Sequence, residues 1–170
     1  MAAERSALFS GLALSSGRSV QTLASVVPNT FGEQKTLVIL VNFQNNPTQP
    51  YAPAYAQGVV FSTTSDFYWE NSYQQTWLTG DVYGWFTIAQ NSTVCDYSKT
   101  ATLAEQATTA TGVTLSAYSR RVYAFPNNAC NWWGLGTVGG NPSKAWINGS
   151  LLHWQEHLLL RGVPRQARLR

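Results

Sequence analysis

The segment "KTLVILVNF", residues 35–43, is a continuous run of β-branched and other apolar residues, and the polar, proline-containing "QNNPTQP" follows it. A strand with one exposed face alternates apolar and polar residues, whereas a strand covered on both faces is apolar throughout. Residues 35–43 therefore predict a buried strand at the centre of a sheet, and the rest of the fold is expected to assemble around it.

Two further segments carry strand patterns. "DVYGWFTI", residues 81–88, alternates two sets of side chains, and "SRRVYAFP", residues 119–126, is a strand that stops at its proline. "CNWWGLGTVGGNPSKAWING", residues 130–149, is rich in glycine and aromatic residues. That composition indicates an irregular or edge strand that another backbone approaches closely.

Three segments predict helices. Ser65 is expected to cap a helix over residues 66–77 that ends at Gly80, although the aromatic density of this segment leaves a strand as the alternative. The alanine-rich residues 98–112 predict a modest helix closed by a glycine. A last helix is expected to run over residues 150–161, where an arginine, a glycine and a proline in succession mark its end.

The remaining segments give the class of the fold. Residues 50–65 predict a long loop, because their prolines oppose regular structure, and residues 1–34 predict a linker or the remnant of a pro-segment. The order strand, helix, strand, helix, strand, edge strand, helix is typical of an α+β or mixed α/β protein. A chain of 170 residues, 44% of them hydrophobic, suffices for one domain with a core.

Composition restricts the classes of function. Only 11% of the residues are charged, and four of the eleven basic residues lie in the last ten positions. The body of the chain is therefore near neutral, which opposes a nucleic-acid-binding role, and residues 163–170 are interpreted as a solvated Arg-rich tail. No stretch approaches the ~18 apolar residues of a membrane span.

Several features favour an extracellular protein. Cys95 and Cys130 allow one disulfide, with free buried thiols as the alternative, and their spacing does not match a metal-ligand pair. Asn91 and Asn148 begin N-glycosylation sequons, although sequons also arise by chance in a chain rich in Asn, Ser and Thr. Residues 1–20 are a poor signal peptide because their apolar run is short and broken.

Three segments carry a family resemblance: "TLVILVNFQNN", "SDFYWENSYQQTWLTGDVYGWFTI" and "VYAFPNNACNWWGLGTVGGNPSKAWING". In their order and spacing the chain resembles the gametolysin family of zinc metalloendopeptidases over about residues 36–150. The resemblance implies an extracellular or cell-wall enzyme that hydrolyses peptide bonds of matrix glycoproteins. It also implies an α+β, zincin-like fold, a twisted mixed sheet with backing helices. Residues 35–162 would be the N-terminal part of the catalytic domain, with the C-terminal subdomain missing.

The resemblance also implies a substrate-binding edge. Residues 134–140 would form an edge strand, or its rim, that binds an extended peptide by strand addition. The alternative for the two adjacent tryptophans is a place in the core, the usual position of this side chain. The candidate substrate-binding residues are Gly134, Leu135, Gly136, Trp132 and Trp133.

A zinc-binding helix is expected directly after "AWING", residues 145–149. The family motif is His-Glu-x-x-His or Gln-Glu-x-x-His, because histidines four residues apart share one helical face and can share a metal. Here "HWQEH" places His153 and His157 at ligand spacing. Glu156 stands where the inverted motif His-x-x-Glu-His places the catalytic base.

This segment departs from the family motif. Trp154 stands where the base is expected, Leu160 where a glycine is expected, and Val163 where a third histidine is expected. Two protein ligands rarely hold zinc against water. We therefore expect a truncated or impaired zinc site, with the sequence leaving the family's pattern at about Ser150. The alternative is a histidine pair with no metal role.

Two classes of function follow from these observations. The first is a gametolysin-like zinc metalloendopeptidase, and the second is a non-catalytic extracellular module that binds glycoproteins or sugars through an aromatic, amide-rich surface. Glu70 and Asp81 are interpreted as residues that cap or hydrogen-bond within the fold, because nothing pairs them with a catalytic partner at a meaningful spacing.

Overall fold

The computed structural model of the chain describes residues 30–149. The expected helix over residues 150–161, with His153, Glu156 and His157, lies outside these residues, as do residues 1–29 and the Arg-rich tail. The strands are β1 (Gly32–Phe43), β2 (Thr76–Ile88), β3 (Arg120–Phe125), β4 (Gly134–Gly136) and β5 (Ser143–Asn148). The helices are α1 (Pro53–Gly58), a π-helical segment (Val59–Thr64), α2 (Ser65–Asn71), α3 (Tyr97–Thr109) and a 3₁₀ turn (Leu115–Ala117).

The five strands form one sheet in the order β2-β1-β3-β5-β4. Strands β2, β1, β3 and β5 are parallel, and β4 lies antiparallel to β5 at the edge. A mixed sheet accompanied by helices confirms the α+β class. Strand β5 was not expected as a separate strand, because the sequence places its residues in the same glycine-rich segment as β4.

Strand β1 lies inside the sheet and is buried on both faces, as its sequence predicts. Leu37 and Ile39 belong to the core cluster that includes alanines of α3. Val38 and Leu40 belong to the cluster on the other face, with residues of α1 and of the π-helical segment. All four side chains are at most 1% exposed. The strand begins at Gly32, three residues before the predicted start.

Helix α3 covers one face of the sheet and confirms the helix predicted over residues 98–112. It begins because the side chain of Asp96 accepts a hydrogen bond from the backbone N–H of Lys99, at 2.9 Å, and so satisfies a free N-terminal donor. Ala101 and Ala104 are buried against the sheet. Within residues 30–149, no helix is long and apolar enough to cross a membrane.

The loop predicted over residues 50–65 is wrong. The chain instead forms α1 and the π-helical segment, which pack on the sheet through Ala56, Val59 and Val60. Pro53 occupies the first turn of α1, where a helix makes no hydrogen bond through the backbone N–H that proline lacks. The proline therefore starts the helix where we had expected it to prevent one.

The helix predicted over residues 66–77 is too long. Helix α2 ends at Asn71, and β2 begins at Thr76, so Gly80 lies inside a strand. The reason is tertiary: β1 offers a complete parallel ladder to residues 76–88, and this pairing overrides the helical spacing. Ser65 does not cap the helix, because its hydroxyl accepts a hydrogen bond from the backbone N–H of Leu78 at 3.0 Å.

Candidate functional site

The outer edge of the sheet is formed by the short strand β4. At its two ends, the carbonyl of Trp133 accepts a hydrogen bond from the backbone N–H of Asn148, and the N–H of Thr137 donates to the carbonyl of Lys144. Both distances are 2.9 Å. These bonds fix which backbone groups of β4 point toward β5.

Along an antiparallel strand, residues that bond to the partner alternate with residues whose backbone groups point the other way. Trp133 and Thr137 bond inward, so the N–H and C=O groups of Gly134 and Gly136 point outward. Within residues 30–149, no strand pairs with that side of β4. The edge therefore offers two outward-facing peptide units, both at residues without a side chain.

The two tryptophans before β4 have different environments. Trp132 contacts the ring of Phe125 with the centroids 6.3 Å apart, and that of Tyr97 at 6.2 Å, both edge to face. It packs against the core on the α3 side, which supports the core interpretation for this residue. Trp133 is 52% exposed beside β4 and stays available at the surface.

Apolar side chains are exposed along the same edge. Leu135 is exposed at the centre of β4, and Val138 is fully exposed just beyond it. Trp133 and Leu135 lie two residues apart and therefore project from the same face of the strand. A partner strand bound at this edge would meet both the free backbone groups and this apolar pair.

Asn148 holds the loop that precedes β4 against the end of β5. Its Nδ2 donates to the carbonyl of Cys130 at 3.0 Å and to that of Trp132 at 2.8 Å, and its Oδ1 accepts from the backbone N–H of Asn128 at 3.0 Å. Asn148 is buried. The position of β4 therefore depends on one fully bonded amide.

This environment corrects one of the two predicted glycosylation sites. The amide nitrogen of Asn148 would have to carry the glycan, but it is buried and both of its hydrogens are engaged. A glycan on Asn148 would require loss of these hydrogen bonds, so the described geometry opposes the prediction at this position. Asn91 is exposed and uses only its Oδ1, as the acceptor of a 2.8 Å bond from Gln44, so glycosylation there stays a prediction.

Cys95 and Cys130 form a disulfide. The bond links the loop before α3 to the loop before β4, at a separation of 35 residues. Cys130 is buried beside the Asn148 amide, which accepts a bond from Asn128 and donates to Cys130 itself. Two independent interactions, one covalent, thus hold the approach to the edge strand.

A charged cluster joins α3 to β3 and β5 on the same side of the sheet. One carboxylate oxygen of Glu105 accepts hydrogen bonds from Arg121 at 2.9 Å, from Lys144 at 3.0 Å and from the hydroxyl of Tyr123. Burial opposes the charge of the carboxylate, but these three donors outweigh it and lower the pKa of Glu105. No local pattern in the sequence predicts this cluster, because its members are distant along the chain.

A second cleft lies over the other face of the sheet and does not include β4. It has a volume of about 600 Å³, and Val122, Ala145 and Ile147 contribute to its apolar floor. Arg120 reaches its wall, where it donates to Gln34 at 2.6 Å. Its described lining contains no His, Cys, Asp or Glu side chain.

The expected metal ligands lie outside the described residues. Within residues 30–149, no three His, Cys, Asp or Glu side chains lie close enough together to hold a metal ion. These residues therefore supply no set of ligands for the expected zinc. The zinc assignment depends on His153, Glu156 and His157 alone.

The remaining acids have the following partners. Asp81 accepts a hydrogen bond from the hydroxyl of Tyr118 at 2.7 Å, and burial together with this carboxylate raises the pKa of Tyr118. Asp81 therefore hydrogen-bonds within the fold, as expected. The same expectation is wrong for the side chain of Glu70, which is exposed and has no hydrogen bond or ion pair with any described residue.

Comparison with known proteins adds no assignment to these observations. No protein-family model matches the chain, and no curated protein matches it either. The geometry of the β4 edge and the sequence resemblance are therefore the grounds on which a function is inferred.

Proposed function

We propose that this chain is part of the catalytic domain of a secreted, gametolysin-like zinc metalloendopeptidase that cleaves extended segments of matrix or cell-wall glycoproteins. The observation that carries the proposal is the free edge of β4, where Gly134 and Gly136 turn their backbone groups outward. An extended peptide recognised by strand addition needs such an edge.

The residue types along β4 suit close approach of a second backbone. Neither glycine carries a side chain that would keep a substrate strand at a distance. Each backbone hydrogen bond formed there contributes about 0.5–1.5 kcal/mol net. Trp133 and Leu135, exposed on one face of the strand, would contact alternate side chains of the bound peptide.

The sheet as a whole also supports a zincin-like fold for the chain. That fold is expected to combine a twisted mixed sheet, backing helices and an edge strand that aligns substrate. The chain has a five-stranded mixed sheet with β4 at its edge, and helices contribute to the core on both faces. The zinc helix is expected immediately after β5, the strand that pairs with β4.

Chain connectivity limits the distance of the proposed ligands from this edge. The backbone N–H of Asn148, at the end of β5, donates to the carbonyl of Trp133 beside β4. His153 follows Asn148 by five residues, so the two Cα atoms can be at most about 18 Å apart. Connectivity therefore permits a metal bound through His153 to lie at the end of the peptide-binding edge.

Under this proposal His153 and His157 hold the zinc and Glu156 is the general base. A zinc ion with an open position supplies an activated water and polarises a carbonyl when it is bound. The described residues contribute a separate function: they bind and orient an extended peptide along β4. That binding step is tested independently of the chemistry.

The primary experiment measures zinc and proteolysis on the purified full chain. Because the motif supplies only two histidine ligands, we expect weak, substoichiometric zinc by elemental analysis and slow digestion of casein or gelatin that a chelator abolishes. The substitution His157→Ala should remove both. A chain that binds no zinc and shows no chelator-sensitive proteolysis would contradict the protease function and favour the non-catalytic glycoprotein-binding module.

A matched pair of substitutions tests the edge strand. Gly136→Pro removes an outward-facing N–H without removing a bond to β5, whereas Gly136→Ala keeps the N–H, and its added Cβ would lie 3.8 Å from the carbonyl of Lys144. We expect the affinity for an extended peptide, measured by titration calorimetry, to fall about tenfold in Gly136→Pro, the equivalent of one hydrogen bond, and to change little in Gly136→Ala. Equal affinity of the two variants would rule out strand addition at this position.

A further inference from the structure

An open aromatic cleft lies where α2 meets β2, at the opposite end of the sheet from β4. Trp69 of α2 and Trp77 of β2 stand edge to face, with ring centroids 5.6 Å apart and planes at 74°. Together with Ser65 and Asp66 they line a cleft of about 430 Å³. That volume is within the usual range of small-molecule sites.

The polar group of this cleft is a carboxylate with no partner among residues 30–149. Asp66 is exposed and makes no hydrogen bond or ion pair with any residue from 30 to 149. Ser65, by contrast, is buried and bonded to Leu78. No basic side chain lines the cleft, and Glu70, one helical turn after Asp66, adds a second exposed carboxylate to the same helix face.

The turn that joins the two elements is held in an unusual conformation. Tyr73 and Gln74 both have positive φ, at 55° and 65°, a region that costs energy for residues other than glycine. The hydroxyl of Ser72 stabilises the turn by accepting bonds from the N–H groups of Gln75, at 3.1 Å, and Thr76, at 2.8 Å. The side chain of Tyr73, in this turn, is 87% exposed.

We infer that the cleft of Asp66, Trp69 and Trp77 is a binding site for a neutral oligosaccharide. A sugar ring has an apolar C–H face and a rim of hydroxyl groups. The indole of Trp69, 40% exposed, can stack on the face, and the free Asp66 carboxylate can accept hydrogen bonds from the rim.

The charges of the cleft select among sugars. Two exposed carboxylates with no basic neighbour in the lining repel uronic acids and sulfated sugars, so a neutral ligand fits and an acidic one does not. An apolar peptide would use the indoles but would leave Asp66 without hydroxyl partners. The combination therefore favours a hydroxyl-rich ring over a peptide.

This site is distinct from the proposed peptide edge. Strands β2 and β4 are at opposite ends of the sheet, four strand spacings or roughly 19 Å apart. The inference does not rest on the proposed protease function. If the chain binds oligosaccharide but does not cleave casein, the inferred oligosaccharide site stands and the protease proposal fails.

Binding is tested on the purified full chain by titration calorimetry. Neutral hexasaccharides, namely β-1,4-linked glucose, N-acetylglucosamine and mannose, are compared with oligogalacturonate and with an apolar hexapeptide. We expect at least one neutral hexasaccharide to bind, oligogalacturonate not to bind, and any binding of the peptide to be unchanged by Trp69→Ala. Trp69→Ala and Asp66→Ala should each weaken the affinity about tenfold, the effect of one aromatic contact or one carboxylate hydrogen bond.

Trp133→Ala is the matched control, because Trp133 is also an exposed tryptophan but lies at the other edge. It should bind the neutral hexasaccharide as the unmodified chain does. Asp66→Asn keeps the size of the side chain and replaces Asp66→Ala if that variant does not fold. Urea unfolding confirms that each variant is folded. The inference is overturned if no neutral hexasaccharide binds, if oligogalacturonate binds as well, if Trp69→Ala weakens peptide binding, or if Trp133→Ala weakens hexasaccharide binding as much as Trp69→Ala.

Discussion

Among single residues, Glu105 makes the densest set of charged contacts in the described chain. One of its oxygens faces Arg121, Lys144 and the hydroxyl of Tyr123, which come from two different strands. The side chains of Arg121 and Glu105 are only 13% and 19% exposed. Loss of the carboxylate would leave a largely buried guanidinium and a fully buried tyrosine without their acceptor.

We predict that Glu105→Gln lowers the free energy of unfolding by about 2 kcal/mol at pH 7, the cost of leaving a half-buried cation without its counter-charge. Urea unfolding followed by circular dichroism measures this. Glu33→Gln is the control, because the carboxylate of Glu33 is exposed and bonds only to the hydroxyl of Thr79. Equal urea midpoints for Glu105→Gln and Glu33→Gln would contradict the structural role of Glu105.

The same carboxylate predicts a pH dependence. The pKa of Glu105 is lower in the folded chain than its ordinary value of 4.5, so at acid pH the unfolded chain binds the proton more readily. Its stabilising contribution is complete above pH 4.5 and is lost as the pH falls through the folded-state pKa. We expect the stability difference between the unmodified chain and Glu105→Gln to shrink between pH 5 and pH 3. A difference that stays constant over that interval would contradict the lowered pKa.

At this scale the sequence misses roles that depend on distant residues. The predicted helix cap at Ser65 is wrong because its hydroxyl bonds to the backbone of Leu78, 13 residues away. The charged cluster at Glu105 depends on Lys144, 39 residues away. The burial of Asn148 depends on Cys130 and Trp132, on a neighbouring loop. A sequon is a local pattern that does not depend on such partners, so the sequence could not distinguish the environment of Asn91 from that of Asn148.

At the scale of elements, the contact between β1 and β2 requires glycine. Gly80 has φ +142°, and a Cβ built on it would lie 1.8 Å from the carbonyl oxygen of Thr36 in β1. Gly58, at the end of α1, has helical φ and ψ, and a Cβ there would meet no atom within 4 Å. The two glycines therefore respond oppositely to the same substitution.

We predict that Gly80→Ala destabilises the chain by roughly 3 kcal/mol or more, because β2 must shift away from β1. Gly58→Ala should instead be neutral or stabilise by about 0.5–1 kcal/mol, because alanine loses less backbone entropy in a helix. Soluble yield and urea unfolding of both variants measure the difference. Equal stability of the two would contradict the close approach of β2 to β1.

Element prediction succeeds where pattern and environment agree. Strand β1 is apolar throughout because it is covered on both faces, so its run of apolar residues was sufficient. Residues 53–64 were missed because proline in a first turn and proline in a loop look the same in the sequence. The start of β2 was missed because its partner β1, more than 30 residues upstream, decides the conformation of residues 76–80.

At the scale of the molecule, the disulfide joins two regions that the sheet alone leaves separate. Cys95 precedes α3, and Cys130 precedes β4, with 35 residues between them. Closing a loop of that length lowers the entropy of the unfolded chain. The covalent link also lies next to the loop that positions the candidate edge strand.

We predict that the double substitution of Cys95 and Cys130 by serine lowers the free energy of unfolding by about 3–4 kcal/mol, the chain-entropy value for this loop length. Reduction of the unmodified chain with dithiothreitol should lower stability equally, whereas the reductant should not affect the double variant. Urea unfolding in the presence and absence of reductant measures both effects. Retained stability after reduction would contradict this role.

The candidate site was foreseen only in part for a related reason. The glycines of β4 stood out in the sequence because adjacent glycine and tryptophan residues are uncommon in a regular strand. The cleft between α2 and β2 did not stand out, because the helix was expected to continue through Trp77 and so to place both indoles on one element. The chain reversal at Tyr73 and Gln74 creates that cleft, and no local sequence pattern predicts the reversal.

The shortness of β4 has a consequence for how the protein behaves at high concentration. An open sheet edge is a template for self-association, and a long flat edge invites a neighbouring copy to extend the sheet indefinitely. Strand β4 has three residues, and only Gly134 and Gly136 face outward, so a second copy would gain very few backbone bonds. A short peptide bound there would gain as many backbone hydrogen bonds with a far smaller loss of freedom. The short strand would therefore favour capture of a flexible peptide, the proposed ligand, over aggregation of the folded protein.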